Sequence, residues 1–426
     1  MNDKMSNELY NEFMKALFEV LSIDSVQGEA TSDAPFGEGP KKTLETTLKI
    51  AENLGFQTKN YDNYVGEVVW GTGKPFAILC HLDVVPVGDI SAWNTEPFTP
   101  TIKDGKLFCR GALDDKSGAI SVLFAMYRLK LEGFTPKREI RLILGCNEES
   151  GWGCIEHYKK VAVMPEEGIS PDADFPVIYA EKGILHIEYS VKKLKKCDAY
   201  GGTAANVVCD KAYAKTIIDE KAAQESGLEI VGDTIVSKGK SAHGSTPEKG
   251  VNALDKLTLY LEQTGVIPQG THDKLFVERA GATKLVDETG YLTFSPDVLR
   301  NDEENLYYIV DVRYPSTLDK EVVESYLKKI GCYKVLSYQA PLFCDKTSYL
   351  VTALTEIYSE YTGKKEQPVA IGGGTYARAL KKGVAFGPAI NEEADSIHQP
   401  NEYVTLSTLD AMNEIYKKAI YKLCIE

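Results

Sequence analysis

FAILCHLDVVPVGD, residues 76–89, joins a predicted strand to a candidate site. The apolar run Phe76–Cys80 is typical of a strand in a buried sheet. His81 and Asp83 follow it directly, and open α/β sheets bind their ligands at the carboxyl ends of their strands. The pattern also fits a histidine that only hydrogen-bonds to its neighbours, so other parts of the chain must decide between the two interpretations.

Strand and helix patterns alternate on both sides of this segment. The helix Lys116–Glu132 and the strand Glu139–Cys146 belong to this series, which predicts an α/β layer with a largely parallel sheet. After Gly183 the strands alternate apolar and polar residues, which is typical of a smaller antiparallel α+β unit. The first pattern resumes from Lys346 and includes a short helix predicted over Tyr376–Leu380. We therefore predict an α/β domain, residues 1–183 and 341–426, interrupted by an inserted α+β domain, residues 184–340.

Composition and charge exclude several classes of protein. The 426 residues include 48 basic and 62 acidic side chains, a net charge of −14, which argues against a nucleic acid or an anionic membrane as partner. No apolar run approaches the roughly 20 residues of a membrane-spanning helix, and the N-terminus lacks the pattern of a secretory signal. The nine cysteines have no C-x-x-C spacing and indicate reduced thiols. We expect a cytoplasmic protein.

Acidic residues and histidines recur where strands and loops end. Two acids, Asp114 and Asp115, stand at a helix N-terminus, and two more, Glu148 and Glu149, end a buried strand. Each pair alone fits a helix cap or a surface loop. Together with the histidines, these acids supply the nitrogen and carboxylate ligands that zinc takes. A two-metal site also needs one carboxylate that bridges the ions. The candidate ligands are His81, Asp114, Glu149, Asp172 and His398.

Two further acids distinguish a hydrolase from a purely structural metal site. Asp83 and Glu148 are not needed as ligands in this inventory. A hydrolase also needs an acid that orients a ligand histidine and a general base for the attacking water. The surplus therefore favours an enzyme.

Nine motifs follow one another along the chain: HLDVVPVGD, WNTEPFTPTIKDGKL, RGALDDKSG, NEESG, SPDADFPVIYAEKG, KSAHGSTPEKGVNA, DVRYP, IGGGTYAR and HQPNE. In this order they resemble the M20 family of co-catalytic zinc peptidases, and within it the dipeptidase V branch. The resemblance runs from about residue 65 to the end. It implies a zinc-peptidase-like α/β catalytic domain with a mostly parallel sheet, interrupted by an α+β lid domain.

The resemblance implies a role for each candidate residue of the α/β domain. One zinc ion would be held by His81 and Asp172 and the other by Glu149 and His398, and the carboxylate of Asp114 would bridge them. In this family the bridging aspartate goes with a cis peptide bond, here Asp114–Asp115. The remaining acids would be Asp83, which orients the His81 ring, and Glu148, the general base. Two departures from the family pattern, Cys109 and Ser117, are not ligand positions.

The resemblance also assigns residues of the lid. His243 and Asn206 would stabilise the tetrahedral oxyanion, and Arg313 would hold the substrate carboxylate with help from the backbone amides of Gly372, Gly373 and Gly374. Independent chemistry agrees, since an arginine fork suits a carboxylate and a glycine-rich turn before a helix offers free N–H groups. Without the resemblance, a surface ion pair and a simple tight turn would explain the same residues.

The implied function is hydrolysis of unblocked dipeptides with two Zn²⁺ per chain, for which Mn²⁺ or Co²⁺ could substitute. An M20-type N-acyl-amino-acid deacylase or desuccinylase shares every metal residue and is the alternative. A non-catalytic metal-binding protein is disfavoured, because Asp83 and Glu148 are both present. The insert of about 155 residues exceeds a minimal dimerising domain of roughly 100, so we expect a monomer whose lid hinges near Gly183 and Pro341 and closes over small peptides. The lysines among residues 192–196 would also protect a strand edge of the lid from pairing with a second chain.

Overall fold

The chain forms two units in the computed structural model, which describes residues 5–426. The first unit contains the chain up to Tyr179 together with Cys344–Val369 and Thr375–Glu426. The second contains Ala180–Phe343 and Ala370–Gly374. Residues 1–4, with which the predicted domain 1–183 begins, lie outside the described part. The naming of the units as catalytic and lid domains stays a prediction.

The first segment of the chain alternates helices with strands. Its helices are α1 (Asn7–Leu21), α2 (Glu38–Asn53), α3 (Lys116–Leu131) and α4 (Gly153–Val161). Its strands are β1 (Gln57–Tyr61), β2 (Val65–Trp70), β3 (Pro75–His81), β4 (Thr101–Lys103), β5 (Lys106–Phe108), β6 (Glu139–Gly145), β7 (Glu167–Ser170), β8 (Ala173–Asp174) and β9 (Val177–Glu181).

The inserted segment is richer in strands. Its strands are β10 (Gly183–Lys192), β11 (Asp198–Gly201), β12 (Lys211–Lys215), β13 (Glu229–Val231), β14 (Thr234–Lys238), β15 (Val286–Asp287), β16 (Gly290–Tyr291), β17 (Thr293–Asn301), β18 (Asn305–Tyr314), β19 (Tyr333–Gln339) and β20 (Leu342–Phe343). Its helices are α5 (Glu220–Glu225), α6 (Ala253–Gln263) and α7 (Lys320–Ile330). The last segment contributes α8 (Tyr349–Thr362), α9 (Leu406–Ile420), β21 (Val369–Ile371), β22 (Lys382–Phe386), β23 (Pro388–Ala389) and β24 (Tyr403–Thr405).

A mixed sheet with a parallel centre organises the first unit. Its strands follow the order β1-β2-β6-β3-β7-β22-β9. The central four, β6, β3, β7 and β22, run parallel, and antiparallel pairs flank them on both sides. The helix α3, buried along almost its whole length, packs against α1 and α9. The α/β fold class predicted from the sequence is confirmed.

An antiparallel sheet of eight strands organises the second unit, in the order β13-β14-β12-β11-β17-β18-β10-β19. The alternation that predicts a half-buried strand is present in β10, where Leu185, Ile187 and Tyr189 face the core. Helices α6 and α7 cover these residues with Leu257 and Leu327, among others. The second unit therefore has its own hydrophobic core.

Two local expectations differ from the structure. The segment Tyr376–Leu380, predicted as a helix, is a 3-10 turn over Tyr376–Ala379, because Leu380 is already extended. The lysines of 192–196 were expected to protect a sheet edge, but β10 is paired on both sides, with β18 and β19. No helix within residues 5–426 combines the length and the apolar character needed to cross a membrane.

Candidate active site

His81 stands at the carboxyl end of the buried strand β3 and is 1% exposed. Its Nδ1 lies 2.9 Å from the main-chain oxygen of Asp83. Because a carbonyl oxygen only accepts, Nδ1 carries the hydrogen, and Nε2 is the nitrogen that faces the neighbouring acids. The His81 ring is thus oriented by the main-chain oxygen of Asp83. The carboxylate of Asp83, which was predicted to hold the ring, is 3.7 Å from Nδ1, beyond hydrogen-bonding distance.

The Asp83 carboxylate is turned towards the loop after β6. It accepts hydrogen bonds from the backbone amides of Glu148 and Glu149, at 3.0 and 3.1 Å. This engagement explains why the carboxylate does not reach the His81 ring. Burial raises the pKa of Asp83, although these amide bonds and the nearby His81 oppose the shift. Asp83 therefore links the position of one predicted ligand, His81, to the loop that carries another, Glu149.

Asp114 lies between two histidines that are far apart in the sequence. Its Oδ1 is 2.9 Å from Nε2 of His81, and its Oδ2 is 3.0 Å from Nε2 of His398. Asp172 approaches the same His81 nitrogen at 3.5 Å, and Glu149 the His398 nitrogen at 3.2 Å. The Asp114–Asp115 peptide bond is cis, as the resemblance predicts. The structure thus brings all five predicted metal ligands together in two groups that share Asp114.

The chemistry of this donor set fits a divalent cation. Ligand atoms of His81, Asp114 and Glu149 lie within 4.8 Å of one another. Burial, together with the negative charges of Asp114 and Glu149, raises the pKa of Asp172 to about 7, although its contact with His81 opposes the shift. Carboxylates that are costly to ionise side by side are stabilised by a shared cation. Imidazole nitrogen with carboxylate oxygen is a combination typical of zinc and similar metals.

The histidine contacts distinguish Asp114 from its acidic neighbours. Burial alone would raise the pKa of Asp114, but its hydrogen bonds to His398 and His81 outweigh burial and hold that pKa well below its usual range. Burial lowers the pKa of His398, but its contacts with Asp114 and Glu149 outweigh burial and raise that pKa to about 10. Asp114 is therefore the most firmly ionised acid of the group, as a bridging ligand requires.

Glu148 lies beside the ligands with a hydrogen-bond donor of its own. The indole Nε1–H of Trp152 donates to Glu148 Oε1 at 3.0 Å. Burial, followed by the charge of Asp172, raises the pKa of Glu148 well above its ordinary value. Trp152 in turn packs edge-on against Tyr376, with ring centroids 5.2 Å apart. A half-buried carboxyl group with a raised pKa suits a residue that takes up and releases a proton near neutral pH.

Glu402 is a site residue that the sequence reasoning missed. Its carboxylate accepts hydrogen bonds from the side chain of Arg110 and from the backbone amides of Gly111, Leu113 and Asp114, at 2.8 to 3.2 Å. It is 1% exposed. Four donors of one loop thus converge on one acid, which fixes the backbone around the bridging aspartate. The sequence offered one indication: two motifs, HQPNE and RGALDDKSG, contain an acid and an arginine, Glu402 and Arg110, to which no role had been given.

The second unit places two of the predicted lid residues, Asn206 and His243, close to each other. Asn206 and His243 lie on adjacent segments, since the Gly244 N–H donates to the Asn206 carbonyl oxygen at 2.7 Å and Val207 forms an isolated antiparallel bridge with His243. His243 Nδ1 is 2.7 Å from Ser245 Oγ. Burial, and then the charge of Arg313, lowers the pKa of His243, which favours the neutral imidazole.

Arg313 is nearly buried and is held by two parts of the second unit. It donates from Nε and Nη2 to Asp311 and from Nη1 to the carbonyl oxygen of Gly372, at 2.7, 2.8 and 3.0 Å. Gly372 thus contacts Arg313 through its carbonyl oxygen and not through its backbone amide. The anion-binding role of the Gly372, Gly373 and Gly374 amides stays a prediction.

Comparison with known proteins agrees with the site. The model of "Peptidase family M20/M25/M40" matches residues 77–422, so the chain belongs to this peptidase family and is a hydrolase. It is 33% identical over 444 residues to "Putative dipeptidase YtjP" of Bacillus subtilis, covering 95% of this chain and 96% of that protein. A "Putative dipeptidase" of Staphylococcus haemolyticus is 34% identical over 463 residues, with 98% of each chain covered.

Solved structures share the fold at lower identity. Human carnosine dipeptidase 1 aligns with a TM-score of 0.57 at 14% identity, covering 97% of this chain and 96% of that one. An M20 family metallo-carboxypeptidase of Sulfolobus solfataricus aligns with a TM-score of 0.59 at 18% identity, covering 97% and 99%. The family predicted from the motifs is confirmed.

Proposed function

We propose that this protein is a cytoplasmic dipeptidase that hydrolyses unblocked dipeptides and uses two divalent metal ions, zinc in the first instance, with Mn²⁺ or Co²⁺ able to substitute. The observation that carries the proposal is Asp114, whose two oxygens face two different histidines, each with a further acid beside it. The names of the relatives point to dipeptides as substrates. All nine cysteines are free thiols, which supports a reducing compartment.

These distances support the proposed ligand assignment. His81 and Asp172 would hold one ion, Glu149 and His398 the other, and Asp114 both. When bound, such ions lower the pKa of water and polarise a carbonyl group. Asp83 orients His81 through its main-chain oxygen and the Glu148–Glu149 loop through its carboxylate. Glu402 holds the backbone of Asp114 in the same indirect way.

Glu148 is the proposed general base. Its carboxylate accepts the proton of the attacking water and returns it to the nitrogen of the leaving amine, so it ends the cycle as it began. The raised pKa of Glu148, caused by its burial, matches this double role, and the hydrogen bond from Trp152 fixes one of its oxygens. Its second oxygen is then the proposed site of proton transfer.

The residues of the second unit are proposed to recognise the substrate. His243 and Asn206 would donate hydrogen bonds to the oxyanion that develops on the scissile carbonyl group. Neutral His243 has one N–H to give, and its lowered pKa favours that form. Arg313 would bind the C-terminal carboxylate.

A substrate panel tests this function against the deacylase alternative. We expect the zinc-loaded protein to release amino acids from Ala-Leu and Leu-Gly and to leave N-acetyl-leucine and N-succinyl-leucine intact, as measured by chromatography. The Glu148→Gln variant is the control for contaminating peptidases. Hydrolysis of the N-acyl amino acids alone would instead establish the deacylase, and no hydrolysis of either class would reject both.

A further inference from the structure

Asp311 and Arg313 form a buried ion pair within one strand of the second unit. They are two residues apart in β18, so both side chains lie on the same face of the sheet. Asp311 is fully buried, and its two oxygens accept hydrogen bonds from Nε and Nη2 of Arg313 at 2.7 and 2.8 Å. A bidentate contact of this kind fixes the plane of the guanidinium group as well as its position.

The pairing leaves part of the arginine available. A guanidinium group has five N–H donors. Asp311 takes two of them, and the carbonyl oxygen of Gly372 takes one from Nη1 at 3.0 Å. One N–H each on Nη1 and Nη2 is left, which is the number that the two oxygens of a carboxylate need. Asp311 therefore uses one side of Arg313 and leaves donors for a ligand.

The neighbours of Asp311 restrict where its carboxylate can lie. A Cβ atom added at Gly244 would lie 2.4 Å from Asp311 Oδ2, so only glycine allows the His243 segment to approach so closely. On the other side, His186 Nε2 is 3.9 Å from the same oxygen, beyond hydrogen-bonding distance, while His186 Nδ1 is 2.9 Å from Ser337 Oγ. The carboxylate is confined between Gly244 and His186, with Arg313 as its donor.

We propose that Asp311 is a positioning residue that orients Arg313 for the C-terminal carboxylate of the substrate and so helps to select peptides with a free C-terminus. The inference rests on the proposed function and deepens it. Asp311 touches no substrate atom in this account, and its effect on substrate binding passes through Arg313. Without the bidentate contact the long arginine side chain can adopt other rotamers, and it must be ordered again each time a substrate binds.

The test is a double-mutant cycle on kcat and KM for Ala-Leu. Asp311→Asn keeps the size of the side chain but removes its charge and one acceptor, and we expect KM to rise about 10-fold or more while kcat changes less than about 3-fold. Arg313→Gln should raise KM at least as much. Adding Asp311→Asn to Arg313→Gln should then cost less than about 2-fold more, because the residue through which Asp311 acts is gone.

Asp297→Asn is the matched control. Asp297 is a second fully buried acid, on the neighbouring strand β17, where it is hydrogen-bonded to Ser295 at 2.5 Å. Burial raises the pKa of Asp297 to about 8, so it is mostly uncharged at pH 7 and its amide variant preserves that state. We expect unchanged kinetics. If Asp311→Asn does not fold, Asp311→Glu keeps the charge but displaces the carboxylate by one methylene group, and it should also raise KM.

The outcomes separate this inference from the function on which it rests. A wild type that hydrolyses no dipeptide rejects the proposed function and the inference together. An active wild type with an Asp311→Asn variant of unchanged KM rejects the inference alone. So does a cycle in which the two substitutions multiply, since Asp311 would then act independently of Arg313.

Discussion

At the scale of single residues, the candidate metal centre depends on hydrogen bonds made around the ligands as well as on the ligands themselves. Asp83 connects the backbone of Glu148 and Glu149 to the ring of His81. Glu402 gathers the amides of the loop that leads into Asp114. Outer partners of this kind commonly change metal affinity by 10–100-fold when they are removed.

Replacing Glu148 should separate catalysis from metal binding. We expect Glu148→Gln to lower kcat by about 10²–10⁴-fold, the usual contribution of a general base, while metal content stays at the wild-type level. His398→Ala is the contrasting variant and should lose metal, because its Nε2 faces both Asp114 and Glu149. Elemental analysis of both variants checks this, and loss of an ion from Glu148→Gln would mean that Glu148 is a ligand.

Replacing Glu402 should weaken metal binding without removing a ligand. Glu402→Gln keeps the shape but turns one acceptor into a donor that faces backbone N–H groups, so we expect metal affinity to fall about 10-fold or more. Competition with a chelator measures it. Glu414→Gln, which weakens an ion pair with Arg128, is the control. Equal affinity in both variants would exclude a positioning role for Glu402.

At the scale of secondary-structure elements, the sequence predicts the strands whose burial is continuous and misses those that break local rules. Phe76–Cys80 is an apolar run, Glu139–Cys146 contains one at residues 142–144, and both segments form central strands. Strand β17 was not predicted, because TFSPDVLRN has a proline inside it and proline is rare in paired strands. The structure accommodates Pro296 at a register shift between Pro296 and Val298.

The residues of the candidate site likewise differ in how far the sequence predicts them. The five candidate ligands were predictable because each lies at a strand end or in a loop, in a motif of its own. Glu402 and Asp311 were not, since their roles depend on backbone amides or on a neighbouring side chain that only the folded chain brings close. The detail of the Asp83 contact, through its main-chain oxygen, likewise depends on geometry.

The buried acid beside the register shift of β17 should make stability depend on pH. The pKa of Asp297 is raised from 3.8 to about 8 by burial. Between these values the native state keeps a proton that the unfolded chain releases, so stability falls as pH rises. Asp297→Asn removes this dependence. We expect its free energy of unfolding, relative to wild type, to rise by up to about 4 kcal/mol between pH 5 and pH 8.

Denaturant unfolding of the metal-free protein at the two pH values measures this difference, since metal release then plays no part. A difference between variant and wild type that is the same at pH 5 and pH 8 would show that Asp297 is already ionised in the native state.

At the scale of the whole molecule, the fold is preserved while most of the sequence has changed. Two solved structures with 14–18% identity align over nearly the full chain, with TM-scores of 0.57 to 0.59. Buried strand patterns survive such divergence because many apolar residues fill the same core, whereas a ligand position admits few residue types.

The size of the inserted unit leads us to expect an active monomer, in which His243 acts on the metal centre of its own chain. Light scattering should give the mass of a single chain of 47.0 kDa. Mixing the inactive variants His243→Ala and Glu148→Ala should restore no activity. A stable dimer together with restored activity would instead show that His243 is supplied by a partner subunit.

The most direct test of the central claim is a titration of metal-free protein with Zn²⁺, following bound metal and Ala-Leu hydrolysis together. We predict no activity without metal, full activity at two equivalents of bound zinc, and an Asp114→Ala variant that binds zinc weakly and stays inactive, because Asp114 faces both histidines. Full activity in the metal-free protein would contradict this claim. So would an Asp114→Ala variant that binds zinc and hydrolyses Ala-Leu as the wild type does.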